Sequence, residues 1–144
     1  MSKYRVIEIT DPMDPMIDEL HEFCARIDEP DTRCAPGAEI PALYMLRHAA
    51  RSGDGLRLWA ILDVAFDDEP VGLVVTGPDG QFQWLKAKLD VIGEVTYLAG
   101  KHISKALGVR AWGIMQNDEI RNAIAKAGPK AGVDHKEKRV WWDG

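Results

Sequence analysis

The sequence predicts a single α/β domain built on a mixed β-sheet and spanning residues 1–144. Three observations predict it. The segments LRLWAILDVAF and VGLVVT, separated by an acidic turn at Asp67–Asp68–Glu69, form the signature of an antiparallel hairpin. Strand-like and helix-like patterns alternate elsewhere, and a strand–helix–strand crossover in the C-terminal half requires some parallel pairing. The chain has 144 residues, 46% apolar and 28% charged, enough for one domain to bury a core.

Each element has a local reason. Tyr4 to Ile9 alternates and is rich in β-branched residues, a strand. Asp14 followed by Pro15 starts a helix, a carboxylate cap with proline at the first helical position. Ile17, Leu20, Phe23, Cys24 and Ile27 follow at helical spacing, and Pro30 stops the run. A second helix is expected over Glu39–Arg51, with Ile40, Leu43, Leu46 and Ala50 on one face. The hairpin strands follow over Leu56–Phe66 and Val71–Thr76.

From Gln81 to Leu107 the apolar residues Phe82, Leu85, Leu89, Ile92, Thr96, Ala99, Ile103 and Ala106 recur at steps of three and four, which predicts one long helix. Gly93 and Gly100 share a face of it and would admit a close neighbour. The composition of Val91–Leu98 also suits a strand, and that alternative stays open. Gly108 ends the helix. Val109–Met115 is expected as a strand, Asn117–Asp118 as the cap of a short helix bearing Ile120, Ala123, Ile124 and Ala127, and Arg139–Trp142 as a final strand. The order is β-α-α-β-β-(β)-α-β-α-β.

That order, together with VRAWGIMQNDEIRNAIAKAG, resembles the GCN5-related N-acetyltransferases (GNAT), in which a strand ends in Asn and a short helix runs to a Gly eleven residues on. Here these are Asn117 and Gly128. The combination of Val75-Thr76, a long helix, Trp112, Asn117, Ile120-Arg121 and Gly128 further resembles divergent GNAT-like proteins of tailed phages. The resemblance implies acetyl-CoA as co-substrate and an amine of a small molecule or protein as acceptor. It also implies a phosphate loop, an Arg or Gln followed by two spaced glycines, before the long helix.

The segment TGPDGQ occupies the corresponding place. The implied cofactor-binding set is Val75, Thr76, Gly77, Gly80, Gln81 and Asn117. Within it Asp79 would repel a pyrophosphate, and Pro78 lacks an N–H. If Val91–Leu98 is a strand, the loop is instead LAGKHIS, with Gly100 and Lys101.

No catalytic residue is assigned. The family's proton-donating Tyr falls on Ile124 here, and Pro129 follows Gly128. Tyr97 and Tyr44 carry no assignable role. Asp63, Asp67, Asp68 and Glu69 suit solvated turn positions. The departures support a second reading: a catalytically inactive GNAT-like phage protein acting by protein binding or as a virion component.

Composition narrows the partners. A net charge of −5 argues against a broad electrostatic grip on nucleic acid, although Lys126, Lys130, Lys136, Lys138 and Arg139 cluster near the end. No apolar run is long enough for a bilayer, and MSKYRVIEIT has no leader pattern, so a cytoplasmic protein is expected. The His residues and the two Cys residues, Cys24 and Cys34, lack metal-ligand spacing. Trp141 and Trp142 are adjacent on a strand and point to opposite faces, so one faces solvent, a partner or a homodimer seam.

Overall fold

A computed structural model describes residues 3–27 and 43–144. Cys34 and the expected first residues of the second helix, Glu39 to Ala42, lie outside the described residues. The elements in chain order are β1 (Tyr4–Ile9), α1 (Pro15–Arg26), α2 (Leu43–Ala50), β2 (Arg57–Asp63), β3 (Glu69–Thr76), β4 (Phe82–Ala87), α3 (Ile92–Leu107), β5 (Ala111–Ile114), α4 (Asp118–Ala127), β6 (Ala131–Asp134) and β7 (Arg139–Trp142).

The strands form two antiparallel sheets, β1-β2-β3-β4 and β5-β7-β6. They meet at a single parallel bridge, Gln81 to Trp112, supported by Trp112 N–H donating to the Gly80 carbonyl at 3.1 Å. The parallel contact lies across the β4-α3-β5 crossover, whereas β5 and β7, on either side of α4, pair antiparallel.

Helices cover both faces of the first sheet, and the side chains divide accordingly. Leu58, Ala60 and Leu62 of β2 pack with Ile17, Leu20, Phe23 and Cys24 of α1 and Leu46 and Ala49 of α2. The alternate residues Trp59 and Ile61 pack with Val95, Ala99 and Ile103 of α3. Burial on both faces explains why β2 and β3 read as nearly continuous apolar runs. Each fully buried aliphatic side chain contributes about 1.5–3 kcal/mol. The α1 start is as expected: the Asp14 side chain accepts from Met16 N–H at 2.9 Å, with Pro15 behind it.

The long helix expected over Gln81–Leu107 is corrected. Residues 82–87 are strand β4, paired with β3; a 3₁₀ turn spans Leu89–Val91, and α3 begins at Ile92. The apparent helical step from Phe82 to Leu85 comes from a bulge. The register jumps from Val75↔Trp84 to Thr76↔Phe82, so Phe82 and Leu85 face the same core although they are three residues apart. The strand alternative over Val91–Leu98 is corrected too, because most of that segment forms the first turns of α3. LAGKHIS therefore lies inside the helix and is no loop.

Strand β6 was not anticipated. It has four residues, two of them Ala131 and Gly132, and pairs with β7 through Gly132↔Trp141 and Val133↔Val140. The strand expected over Leu56–Phe66 ends at Asp63, where a 3₁₀ turn over Val64–Phe66 begins, and Asp63 is buried rather than solvated. Cys24 is buried, and burial pushes its thiol up to about 12, so it remains a core group. Trp142 is buried against α3 while Trp141 lies on the opposite, half-exposed face.

Candidate active-site cleft

Beyond the bridge at Gln81 and Trp112, β4 and β5 pair with different neighbours and lead into α3 and α4 respectively. The first turns of these two helices frame a cavity of about 310 Å³ lined by Leu89, Ile92, Asn117, Glu119, Ile120 and Ala123. Its walls combine apolar side chains with two helix N-termini, where partial positive charge collects.

The two N-termini differ. The Asn117 side chain caps α4, accepting from Glu119 N–H at 2.8 Å and Ile120 N–H at 3.2 Å. No side chain caps α3, whose N-cap is Val91. The 3₁₀ turn uses Val91 N–H on the Lys88 carbonyl at 3.2 Å and Ile92 N–H on Leu89. Lys88 is anchored in turn, its N–H donating to the Val71 carbonyl at 3.0 Å. Lys88 lines a neighbouring cavity with Ile27, Leu89 and Asp90, and the uncapped first turn of α3 that follows contains Gly93. A Cβ at Gly93 would lie 2.6 Å from Ala123 Cβ, so the glycine lets α4 approach α3 here.

Carboxylates restrain this positive character. Asp90 and Glu94 flank the α3 start, and Asp118 and Glu119 occupy the first turn of α4. Arg121, only 1% exposed, ties the α4 side together. It donates to the Met115 carbonyl, pairs with Asp118, and donates from Nε to His135 Nδ1 at 3.1 Å. Sequence pattern offered the Ile120-Arg121 pair but no sign of this role.

Of the sequence-derived set, Asn117 lies at the cleft. Val75, Thr76, Gly77, Gly80 and Gln81 lie at the β3–β4 hairpin, at the other end of β4 from α3. There Gly77 N–H donates to the Gln81 carbonyl at 2.9 Å, Gly80 N–H to Gly77 at 3.2 Å, and Asp79 accepts from Gln81 N–H at 3.2 Å. Those amides satisfy the turn itself. The segment overlooked in the sequence is Lys88–Gly93; its signal was a basic residue five positions before a glycine, directly after the alternating FQWLKA.

The other candidates are accounted for. Ile124 is buried in the core. The Tyr97 hydroxyl accepts from Lys130 N–H at 3.1 Å, with its ring against Gly128. Tyr44 is exposed on α2. Asp63 caps a turn by accepting from Ala65 N–H, and Asp68 pairs with Arg5. Among the described residues no cluster of His, Cys, Asp and Glu could hold a metal ion, and no helix is long and apolar enough to cross a membrane.

Comparison with solved structures identifies this mixed α/β fold. A spermidine N-acetyltransferase chimera of the Vibrio cholerae enzyme SpeG with hSSAT is 14% identical and superposes with a TM-score of 0.55, covering 98% of this chain and 95% of that one. A second chimera of the same two proteins gives 11% and 0.55 over 97% and 93%, and a Vibrio cholerae SpeG N152L mutant gives 11% and 0.53 over 98% and 92%. The chain has the fold of the GCN5-related N-acetyltransferases. No protein-family model matches it, and no curated protein matches it in sequence.

Proposed function

We propose that the chain is an acyl-CoA-dependent N-acetyltransferase acting on an amine of a small molecule or protein. One observation carries this reading: the uncapped start of α3 opens, together with the start of α4, on a largely apolar cleft at the C-terminal ends of β4 and β5. The residues there fit acetyl-CoA. Lys88 and the first-turn amides of α3 suit a pyrophosphate, since a helix N-terminus and a basic side chain both favour anions. Ile92 and Ile120 suit the apolar part of a pantetheine arm, and the Asn117 side-chain amide can donate to that arm while its oxygen caps α4.

Acetyl-CoA would supply an activated thioester: the amine nitrogen bonds to the acetyl carbon, the C–S bond breaks, and the amine's proton ends on the departing thiolate. The chain's part is to hold the donor, exclude water with the apolar walls and orient the amine. Asp90 and Glu119 set the limit on affinity, because they place negative charge near the phosphates.

A second reading is favoured by a specific observation. Ile124 is buried, and the Tyr97 hydroxyl is engaged by Lys130 N–H. Ile124 has no hydroxyl, and neither residue lines the cleft, so neither brings a phenol to the leaving thiolate. A protein that binds its ligand without turnover, or a virion component like the tailed-phage proteins it resembles, accounts for that.

Calorimetric titration with acetyl-CoA tests the first reading. Ligand at a hundred times its dissociation constant stabilises the fold by about 2.7 kcal/mol. Saturable binding with release of CoA thiol in the presence of amines is the expected result. Binding without thiol release across an amine panel favours the second reading, and no heat or thermal shift at millimolar acetyl-CoA overturns the first.

A further inference from the structure

The β5-β7-β6 sheet buries one face against α3 and α4 through Ala111, Val140 and Trp142. Its other face carries a second, larger cavity of about 610 Å³, lined by Arg110, Trp112, Asp134, Glu137, Arg139 and Trp141. The strand register places Trp112 opposite Trp141, and Trp141 opposite Gly132 on its other side.

Gly132 determines how Trp141 lies. A Cβ at that position would overlap the indole atoms Cε2 and Cζ2, so the ring rests flat on the β6 backbone and turns its other face outward. Arg139 leans the other way. Its guanidinium sits 4.6 Å from the centre of the Trp112 ring rather than on Asp134, its cross-strand neighbour. Arg110 stands on the same β5 side, paired with Asp143 at 3.0 Å. The carboxylates are on the β6 side. Asp134 uses one oxygen to accept from Lys136 and Glu137 N–H, and among the described residues nothing bonds its other oxygen or the Glu137 side chain.

The result is a dipolar platform: guanidinium groups over β5, carboxylates over β6 and its turn, and an indole floor between them. With strands about 4.8 Å apart, β5 and β6 are separated by about 10 Å across β7. The turn also adjoins the exit of β5, because the Lys138 carbonyl accepts from Met115 N–H at 2.8 Å. The carboxylate rim thus lies at the strand end that leads to Asn117 and the cleft.

We propose that this face binds the acceptor, and that the acceptor is a dipolar amine of di- to tripeptide size. Its ammonium group sits at Asp134 and Glu137, its apolar body on the Trp141 indole, and its anionic end at Arg139. Two or three extended residues span about 7–10 Å, which matches the platform. A polycation fits worse, since Arg139 over the Trp112 ring repels its far end, Arg110 being paired with Asp143. The assignment of this ligand as acceptor rests on the acyl-transfer reading; its binding does not.

The test uses the full chain without acetyl-CoA, titrated calorimetrically with the tripeptide Gly-Phe-Gly, its N-acetylated form, its C-terminal amide and spermidine. The free tripeptide is expected to bind at least ten-fold tighter than either blocked form and than spermidine. Glu137→Gln, an exposed substitution, should erase the advantage over the N-acetylated form alone, and Arg139→Gln the advantage over the amide alone. Trp141→Ala should weaken all four. Equal affinity for free and blocked peptides, tighter binding of spermidine, or no heat from any probe at millimolar concentration overturns the site. Tripeptide binding by a chain that ignores acetyl-CoA supports the site and removes only the transfer reading. Acetyl-CoA binding with no response to any probe removes the site and leaves transfer standing.

Discussion

The two ends of β4 carry turns of opposite character. Thr76–Gln81 at the entrance is rich in glycine, and its amides are consumed within the turn: Gly77 on Gln81, Gly80 on Gly77, and Gln81 on Asp79. Lys88–Gly93 at the exit has a single glycine and leaves the start of α3 without a side-chain cap. The glycine-rich loop has the composition expected of a phosphate cradle; the glycine-poor one also spends its Val91 and Ile92 N–H groups within its turn, but leads into a helix start that no side chain caps. Glycine content reports what backbone angles a turn needs, as at Gly80 with φ +84. It does not report whether the N–H groups remain available to a ligand.

The largest effect expected from this contrast is at the glycines themselves. Gly93→Val places a branched side chain 2.6 Å from Ala123 Cβ and 2.9 Å from its carbonyl carbon, so α4 must move off α3. The cost should be about 3 kcal/mol, at the upper end of overpacking penalties. The acetyl-CoA-dependent stabilisation should vanish with it. Gly80→Ala strains the hairpin turn and brings a Cβ to 3.0 Å from Val109 Cγ2 just before β5; it should cost about 1 kcal/mol while leaving acetyl-CoA affinity unchanged. Denaturant titration with and without ligand reads both. Retained affinity in Gly93→Val, or lost affinity in Gly80→Ala, would reverse the assignment of the two ends.

Charge gives the next largest contrast. Lys88→Glu adds negative charge beside Asp90 and Glu94 at the open helix start. It should weaken acetyl-CoA binding about ten-fold, equivalent to about 1.4 kcal/mol, and the loss should shrink in high salt. Asp79→Lys introduces the opposite charge at the other end of β4 and should leave affinity within two-fold. Calorimetry at two ionic strengths separates the pair.

Much of the fold was legible because its elements carry local signals. The Asp14-Pro15 start, the β2–β3 hairpin, the Asn117 cap and the opposed faces of Trp141 and Trp142 each follow from a few neighbouring residues. The misreadings arose where a tertiary feature imitates a local one. A bulge opposite Val75 and Thr76 put Phe82 and Leu85 on one face and produced a helical period in a strand. Strand β6 has little hydrophobic signal of its own, because Gly132 serves as the bed for the Trp141 ring. The cleft was legible at Asn117 but not at Lys88–Gly93, since an uncapped helix start becomes visible only once the start of that helix is known. Arg121 was equally hidden: nothing in its neighbours signals a buried guanidinium bonded to a carbonyl, a carboxylate and an imidazole.

The smallest expected effect is at the second helix N-terminus of the cleft. Asn117→Ala removes the oxygen that accepts from Glu119 and Ile120 N–H, and should cost about 1 kcal/mol of stability, typical for loss of a cap. It also frees those amides toward the cleft and removes the side-chain donor proposed to meet the pantetheine arm. If α3 alone holds the phosphates, acetyl-CoA affinity falls only by the lost contact, about three- to ten-fold, while the response to salt matches the wild type. Asn117→Asp sharpens the test. An aspartate restores the cap and suits the helix dipole, but adds a negative charge and still lacks the donor. Stability should recover to the wild-type value while affinity stays as low as in Asn117→Ala or lower. Recovery of both would make Asn117 a cap only and leave the α3 start, with nearby Lys88, as the phosphate-binding determinant.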